Sequence, residues 1–288
     1  MKFLLSGLGN WSQTWKTLES ATLLAEDSGF WGIVMPDHYM VEPEKGGSST
    51  LDSWIALSYL AAKTKRIRLG TLVTPIPLRP PAILAKMVAT LDVLSNGRVI
   101  LGVGAGWSRS EFEGYSQWNN SRERVERTEE GVQLIMKLWT EGSVDFDGKY
   151  YRCNGAVLEP KTVQSPYPPL LFGALGAGQK MLKLAGRYAD LCFIPVSRMK
   201  NFSFGEAKNI VLNEARLHSR DKSISFVGGA NFSLDKFPYF GSKYDPKSYA
   251  DGIVKAKESG CDYVLVPFPS ERFLDDLRHF CKEILPSF

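Results

Sequence analysis

Nothing in the 288 residues approaches the ~20 consecutive apolar residues of a membrane-spanning helix. Met1-Lys2 leads into only a few apolar residues before Ser6-Gly7, too few for the core of a secretory leader. A cytoplasmic protein without membrane contact is therefore expected. Cysteine is scarce: Cys153, Cys192, Cys261 and Cys281 show no C-x-x-C spacing, and Cys192 and Cys261 sit in apolar strand contexts. Buried free thiols in a reducing compartment are the reading. His38, His218 and His279 lie far apart without ligand spacing, so no metal site is expected. There is no G-x-S-x-G, which removes the anchor of an α/β-hydrolase triad. Basic and acidic residues nearly balance, 35 against 31, and no basic block stands out. That describes a solvated surface and argues against a nucleic-acid partner. Solenoid-period repeats and low-complexity segments are absent as well.

What is present is organised around residues 66–107. Ile67, Leu69, Leu72 and Val73 form a short apolar run, the mark of a strand buried on both faces. TPIPLRPP follows as a stiff loop that can be neither helix nor central strand. Leu84, Met87, Val88, Leu91 and Leu94 then share a helical face that Asn96-Gly97 ends. Val99 to Val103 is a second buried strand running into Gly104-Ala105-Gly106. Strand, helix, strand within about 40 residues is a βαβ unit with parallel strands.

The same alternation extends over the chain. Further strands are expected at Phe3–Leu5, Gly32–Met35, Leu170–Phe172, Leu191–Ile194, Ile224–Val227 and Tyr263–Val266. Helices are expected around Trp15–Ala25, Trp54–Ala61, Arg122–Trp139, Met181–Tyr188, Glu206–His218, Ile253–Gly260 and Phe273–Ile284. Residues 40–51 read as a glycine-rich loop and SRSEFEGYSQWNN as a polar excursion. Asp147-Gly148 marks a hairpin turn outside the main sheet. Eight strands alternating with helices predict a single α/β domain over residues 1–288, a (β/α)8 TIM barrel with insertions at its C-terminal face. A doubly wound open sheet is the alternative, and the absence of a composition break favours the closed barrel.

In such folds ligands sit beyond the carboxyl ends of the strands. The glycine-rich stretch from Gly173 to Gly178, between a strand and a helix, leaves backbone N–H groups free to grip a phosphate, although glycine also serves tight turns. Gly104-Ala105-Gly106 lacks the third glycine of a dinucleotide fingerprint, Arg109 standing there, and suits close approach by a flat ligand. Asp37-His38 ends a buried strand; on the residues alone a turn cap and a satisfied interior histidine are favoured over chemistry. Glu111 and Glu113 read as a solvated loop face.

Five segments together resemble the bacterial-luciferase-like flavin and deazaflavin oxidoreductases: AEDSGFWGIVMPDHYM, RIRLGTLVTP, LSNGRVILGVGAGW, LWTEGSVDFDGKYY and PPLLFGALGAG with AGRYADL. Their order and spacing match from Met1 to about Ile194, and the rest fits more loosely. The resemblance implies a (β/α)8 barrel, a cofactor in its C-terminal mouth and a homodimer. Asp37-His38 and GVGAGW look like the branch that uses coenzyme F420, the deazaflavin, with FMN the alternative. On that pattern His38 lies beside the ring, with Asp37 fixing its tautomer or touching the ring's polar edge. Leu72–Val73 forms a bulge with a non-proline cis peptide behind the ring. Ser6, Thr74, Gly104, Ala105 and Gly106 complete the cofactor side, Gly176, Ala177 and Gly178 take the phosphate, and Trp107 faces the substrate.

Two departures matter. The sugar-phosphate and alcohol dehydrogenases of the F420 branch carry a glutamate where Trp107 stands, and the pterin reductases place an acid near Ser6. Neither activity is implied. The expectation is a hydride-transferring, F420-dependent oxidoreductase acting on a small molecule. The alternatives are an FMN-dependent monooxygenase and a cofactor-binding protein without catalysis.

Overall fold

The structure, a computed structural model, describes residues 1–8, 14–40, 50–173, 178–194, 202–220, 224–229, 244–268 and 270–288. Strands β1 (Lys2–Ser6), β2 (Gly32–Met35), β3 (Arg68–Thr71), β4 (Thr74–Pro75) and β5 (Val99–Gly104) are followed by a two-stranded antiparallel hairpin, β6 (Val144–Asp147) and β7 (Arg152–Ala156). β8 (Leu170–Gly173), β9 (Leu191–Phe193), β10 (Ser225–Gly229) and β11 (Tyr263–Pro267) complete the main sheet. Its order is β3-β2-β1-β11-β10-β9-β8-β5-β4, and the added β3–β5 pairing closes the ring. β3 and β4 occupy one position, so the nine strands make an eight-stranded parallel barrel. The helices are α1 (Trp15–Asp27), α2 (Ser53–Lys63), α3 (Pro81–Leu94), α4 (Arg109–Tyr115), α5 (Ser121–Thr140), α6 (Gln179–Tyr188), α7 (Phe204–Leu217), α8 (Pro246–Glu258) and α9 (Phe273–His279).

Local chemistry sets the helix ends. The side chains of Thr14, Asp52, Asn120 and Asp245 each accept a first-turn amide, and Ser203 with Glu206 forms a complete capping box. Pro81 opens α3, where a missing N–H costs nothing. Gly29 and Gly97, at φ 84° and 77°, end α1 and α3 in the left-handed region that favours glycine.

Alternation along the strands divides the apolar residues into two layers. Leu4, Val34, Ile100, Leu171, Phe193, Val227 and Leu265 fill the barrel interior. Phe3, Leu5, Ile33, Leu101, Phe172 and Val264 point outward against the helices. Cys192 and Cys261 are buried free thiols, and burial pushes Cys192 up to about 12. No helix among the described residues is long and apolar enough to cross a membrane.

Several elements depart from the sequence expectation. Leu94 is 71% exposed, so the buried apolar face of α3 ends at Leu91. Thr74-Pro75, read as loop, pairs in parallel with Val103-Gly104. Proline is tolerated at so short an extension because the ladder loses one donor only. The polar excursion after Trp107 contains α4, whose Phe112 and Glu111 are buried. The hairpin lies between α5 and β8, in a helix-to-strand connection, whereas α4 follows a strand end. The glycine-rich loop falls mostly on residues 41–49, outside the described residues.

Candidate active site

Parallel strands bring their carboxyl ends to one face, here Ser6, Met35, Thr71 with Thr74-Pro75, Gly104, Gly173 and Pro267. The Leu72–Val73 peptide is cis, as expected from the resemblance, and separates β3 from β4. Leu72 and Val73 are half-buried, an apolar shelf at the mouth. Two glycines make room for it. A Cβ on Gly104 would meet Val73 Cγ2 at 2.3 Å, and one on Gly173 would meet Val73 Cγ1 at 2.9 Å. Gly106, at φ 77°, lies against Phe112, where a Cβ would meet the ring at 2.4 Å. Glycine is thus a packing requirement at 104, and at 106 a conformational one as well.

Beyond β2 the backbone is tied down from three sides. Ser53 donates to the Pro36 carbonyl at 2.7 Å, and Thr50 donates to the carbonyls of His38 and Tyr39 at 3.2 and 3.1 Å. Glu111 accepts from the Tyr39 amide at 2.6 Å and from the Met40 amide at 3.4 Å. His38 is thereby held in place, its side chain 18% exposed. Its ring meets Trp107 edge-on with centroids 5.5 Å apart, and Trp107 is 45% exposed. An exposed tryptophan beside a fixed histidine is a wall for a flat or apolar substrate.

The partner of His38 is Glu111. Its Oε2 lies 3.0 Å from Nδ1, and Glu111 is 1% exposed. This overturns two expectations. Glu111 is no solvated loop residue, although Glu113 is: Glu113 lies exposed and accepts from Arg109 at 2.8 Å. Nor does Asp37 orient His38. Asp37 is buried and faces Arg79, which donates from Nε at 2.9 Å and from Nη2 at 2.6 Å. Trp54 Nε1 also donates to Asp37, at 3.2 Å, and Thr74 Oγ1 donates at 2.8 Å. Thr74 spends its only hydroxyl proton there, so Thr71, 3.0 Å away, must donate to Thr74 while accepting from the Gly102 amide. The result is a one-way chain of donors from β5 through β3 and β4 to Asp37. Thr74, expected on the cofactor side, has its buried hydroxyl in this chain. Arg79 also reaches Asp52 at 2.8 Å and stacks 4.6 Å above the Tyr39 ring. Burial works against the Arg79 charge, but the hydrogen bonds and charges of Asp37 and Asp52 outweigh it and raise the guanidinium above its ordinary value.

The remaining predicted residues divide. Ser6 is buried at the end of β1, and Ala105 and Gly106 are half-buried at the end of β5. Gly178 precedes α6 in extended backbone, while Gly176 and Ala177 lie outside the described residues. Glu111 is the residue that sequence reasoning missed. Ser108-Arg109-Ser110-Glu111 has the spacing of a capping box and could have revealed α4. Here the Glu111 carboxylate is turned to His38 and its loop instead.

The shelf, the glycines and the histidine fit a flat heterocycle. Leu72 and Val73 offer apolar area, Ala105 and Gly106 allow close approach, and the imidazole against Trp107 adds a polar, proton-exchanging group.

The family model described as Luciferase-like monooxygenase matches residues 3–203. The F420-dependent glucose-6-phosphate dehydrogenase of Nocardia farcinica is 37% identical over 179 residues, 61% of this chain and 52% of that protein. The chain thus spans about half the length of the curated relatives it matches. An F420-dependent secondary alcohol dehydrogenase, solved with an F420–acetone adduct, superposes with a TM-score of 0.81 at 21% identity, covering 99% of this chain and 98% of that one. The F420-dependent tetrahydromethanopterin reductase of Methanopyrus kandleri gives a TM-score of 0.79 at 22% identity, covering 100% and 99%.

Proposed function

Because this chain belongs to the luciferase-like monooxygenase family, we propose that it is an oxidoreductase moving a hydride between coenzyme F420 and a small organic molecule. The observation that carries this reading is His38, fixed by Glu111 and set against Trp107 at the glycine-rich end of β5, in a chain whose relatives include F420-dependent dehydrogenases. Bound F420 would supply the hydride chemistry at its deazaflavin ring. Leu72 and Val73 would support one face of that ring, with Ala105 and Gly106 at its edge. The phosphate would rest on Gly176, Ala177 and Gly178, and Ser6 would close the side near β1. His38 would accept or return the proton that accompanies hydride transfer.

Trp107 defines the substrate side. A carboxylate there would suit a polar hydroxyl-bearing ligand; an indole suits a flatter or less polar one. Glucose 6-phosphate is accordingly no part of this proposal. The free thiols fit a reducing, cytoplasmic setting. Ile55 and Tyr59 on α2 and Ile83 on α3 are exposed apolar residues that a homodimer would cover, and light scattering tests that state.

The test of the main reading is a binding series with F420, FMN and NADPH, followed by hydride transfer to a carbonyl and alcohol panel. F420 should bind most tightly and undergo turnover. Tighter binding of FMN with oxygen-dependent turnover would replace this reading with a flavin monooxygenase, and binding without turnover would leave a carrier.

A further inference from the structure

We propose that Glu111 sets the tautomer of His38, holding the ring proton on Nδ1 and leaving Nε2 as the basic nitrogen. Three observations carry this. The carboxylate Oε2 is 3.0 Å from Nδ1, a distance that requires one proton between the two atoms, and an ionised carboxylate, which can only accept, leaves the ring as its donor. Glu111 is 1% exposed, so water does not compete for the contact. Its other oxygen, Oε1, is occupied by the amides of Tyr39 and Met40, which fixes the carboxylate plane and keeps Oε2 aimed at the ring. Among the described residues no lysine or arginine pairs with Glu111: Arg109 turns to Glu113 and Arg79 to Asp37 and Asp52. Among the described residues the histidine is therefore the cation-capable partner of this acid. Glu111 is a positioning residue, acting on the reaction through His38.

This arrangement makes a sharp prediction for the amide isostere. In Glu111→Gln the carbonyl oxygen must stay on the amides of Tyr39 and Met40, since two N–H donors cannot face an NH2 group. The side-chain NH2 is then left facing Nδ1, which must become an acceptor. The ring proton moves to Nε2, and the nitrogen that was basic becomes a donor. Size and shape are unchanged, so packing is not the variable.

The tautomer itself is independent of the cofactor reading; only its consequence for turnover rests on that reading. The experiment is long-range 1H–15N correlation of the imidazoles in 15N-labelled protein without added cofactor, at a pH where the ring is neutral. The chain has three histidines, and His38→Ala identifies the His38 signals by their loss. Wild type should show a protonated, pyrrole-type Nδ1 and a pyridine-type Nε2, and Glu111→Gln should show the reverse. An Nε2–H pattern in wild type, or the same pattern in both proteins, would overturn the proposal. Should the glutamine variant fail to fold, the wild-type spectrum decides alone. With cofactor and substrate, Glu111→Gln should bind F420 within about threefold of wild type and lose turnover. The matching acid-to-amide change in the serine-protease triad costs on the order of 10⁴-fold in kcat. Lack of F420 binding in wild type would sink the cofactor reading while leaving the tautomer assignment to the spectrum.

Discussion

Asp37 and Glu111 are both buried acids at the barrel mouth, one beside His38 in the chain and the other beside it in space. Their surroundings give them opposite uses. Asp37 faces a guanidinium that cannot release its proton, together with an indole and a threonine, so both its oxygens are held by donors. Glu111 faces two amides and an imidazole, a partner that can change its protonation. A buried acid against a permanent cation is architecture; a buried acid against histidine can follow a reaction. The Asp37 cluster joins β2, β3, α2 and the loop before α3 into a wall, and the Glu111 contact places one side chain against that wall.

Breaking the first region should have the largest effect. Asp37→Ala removes the main partner of a buried arginine, and leaving such a charge uncompensated costs about 3–5 kcal/mol. A large loss of urea midpoint, or no soluble protein, is expected, and a midpoint near wild type would show that Asp52 alone can hold Arg79. The second region should respond in rate. His38→Ala should fold and bind F420 yet lose about 10²–10⁴-fold in turnover, the usual cost of removing a general acid or base. A variant with wild-type turnover and reduced melting temperature would make His38 structural. The smallest effect belongs to a control acid two residues from Glu111. Glu113→Ala removes an exposed i,i+4 pair with Arg109, worth about 0.3–0.5 kcal/mol, and should change neither rate nor melting temperature measurably. A rate loss in this variant would mean that α4 moves as a unit, and the contrast between Glu111 and its neighbour would dissolve.

The barrel was legible in the sequence because buried strands and amphipathic helices carry local periodicities, punctuated by Gly29, Gly97 and Pro81. All eight strand positions and the hairpin were visible in that pattern. Leu94 misled because periodicity counts a residue without knowing where the neighbouring layer ends. The cis peptide at Leu72–Val73 was reached only through resemblance, since nothing in GTLV dictates it.

The sequence by itself determined which residue types reach the mouth: Asp37-His38, the Leu72–Val73 pair, the glycines after β5 and Trp107 all follow strands, and strand ends converge in a parallel barrel. Only the tertiary structure decided which acid each cation meets. His38 and Glu111 are 73 residues apart, and Asp37 and Arg79 are 42. No local rule encodes such pairings. Adjacency in the chain favoured Asp37 as the partner of His38, but both lie beyond the end of β2, where no strand period fixes the direction of a side chain. The partners that the fold brings there decide it: Asp37 turns into the wall toward Arg79, and His38 turns to meet Glu111 on α4.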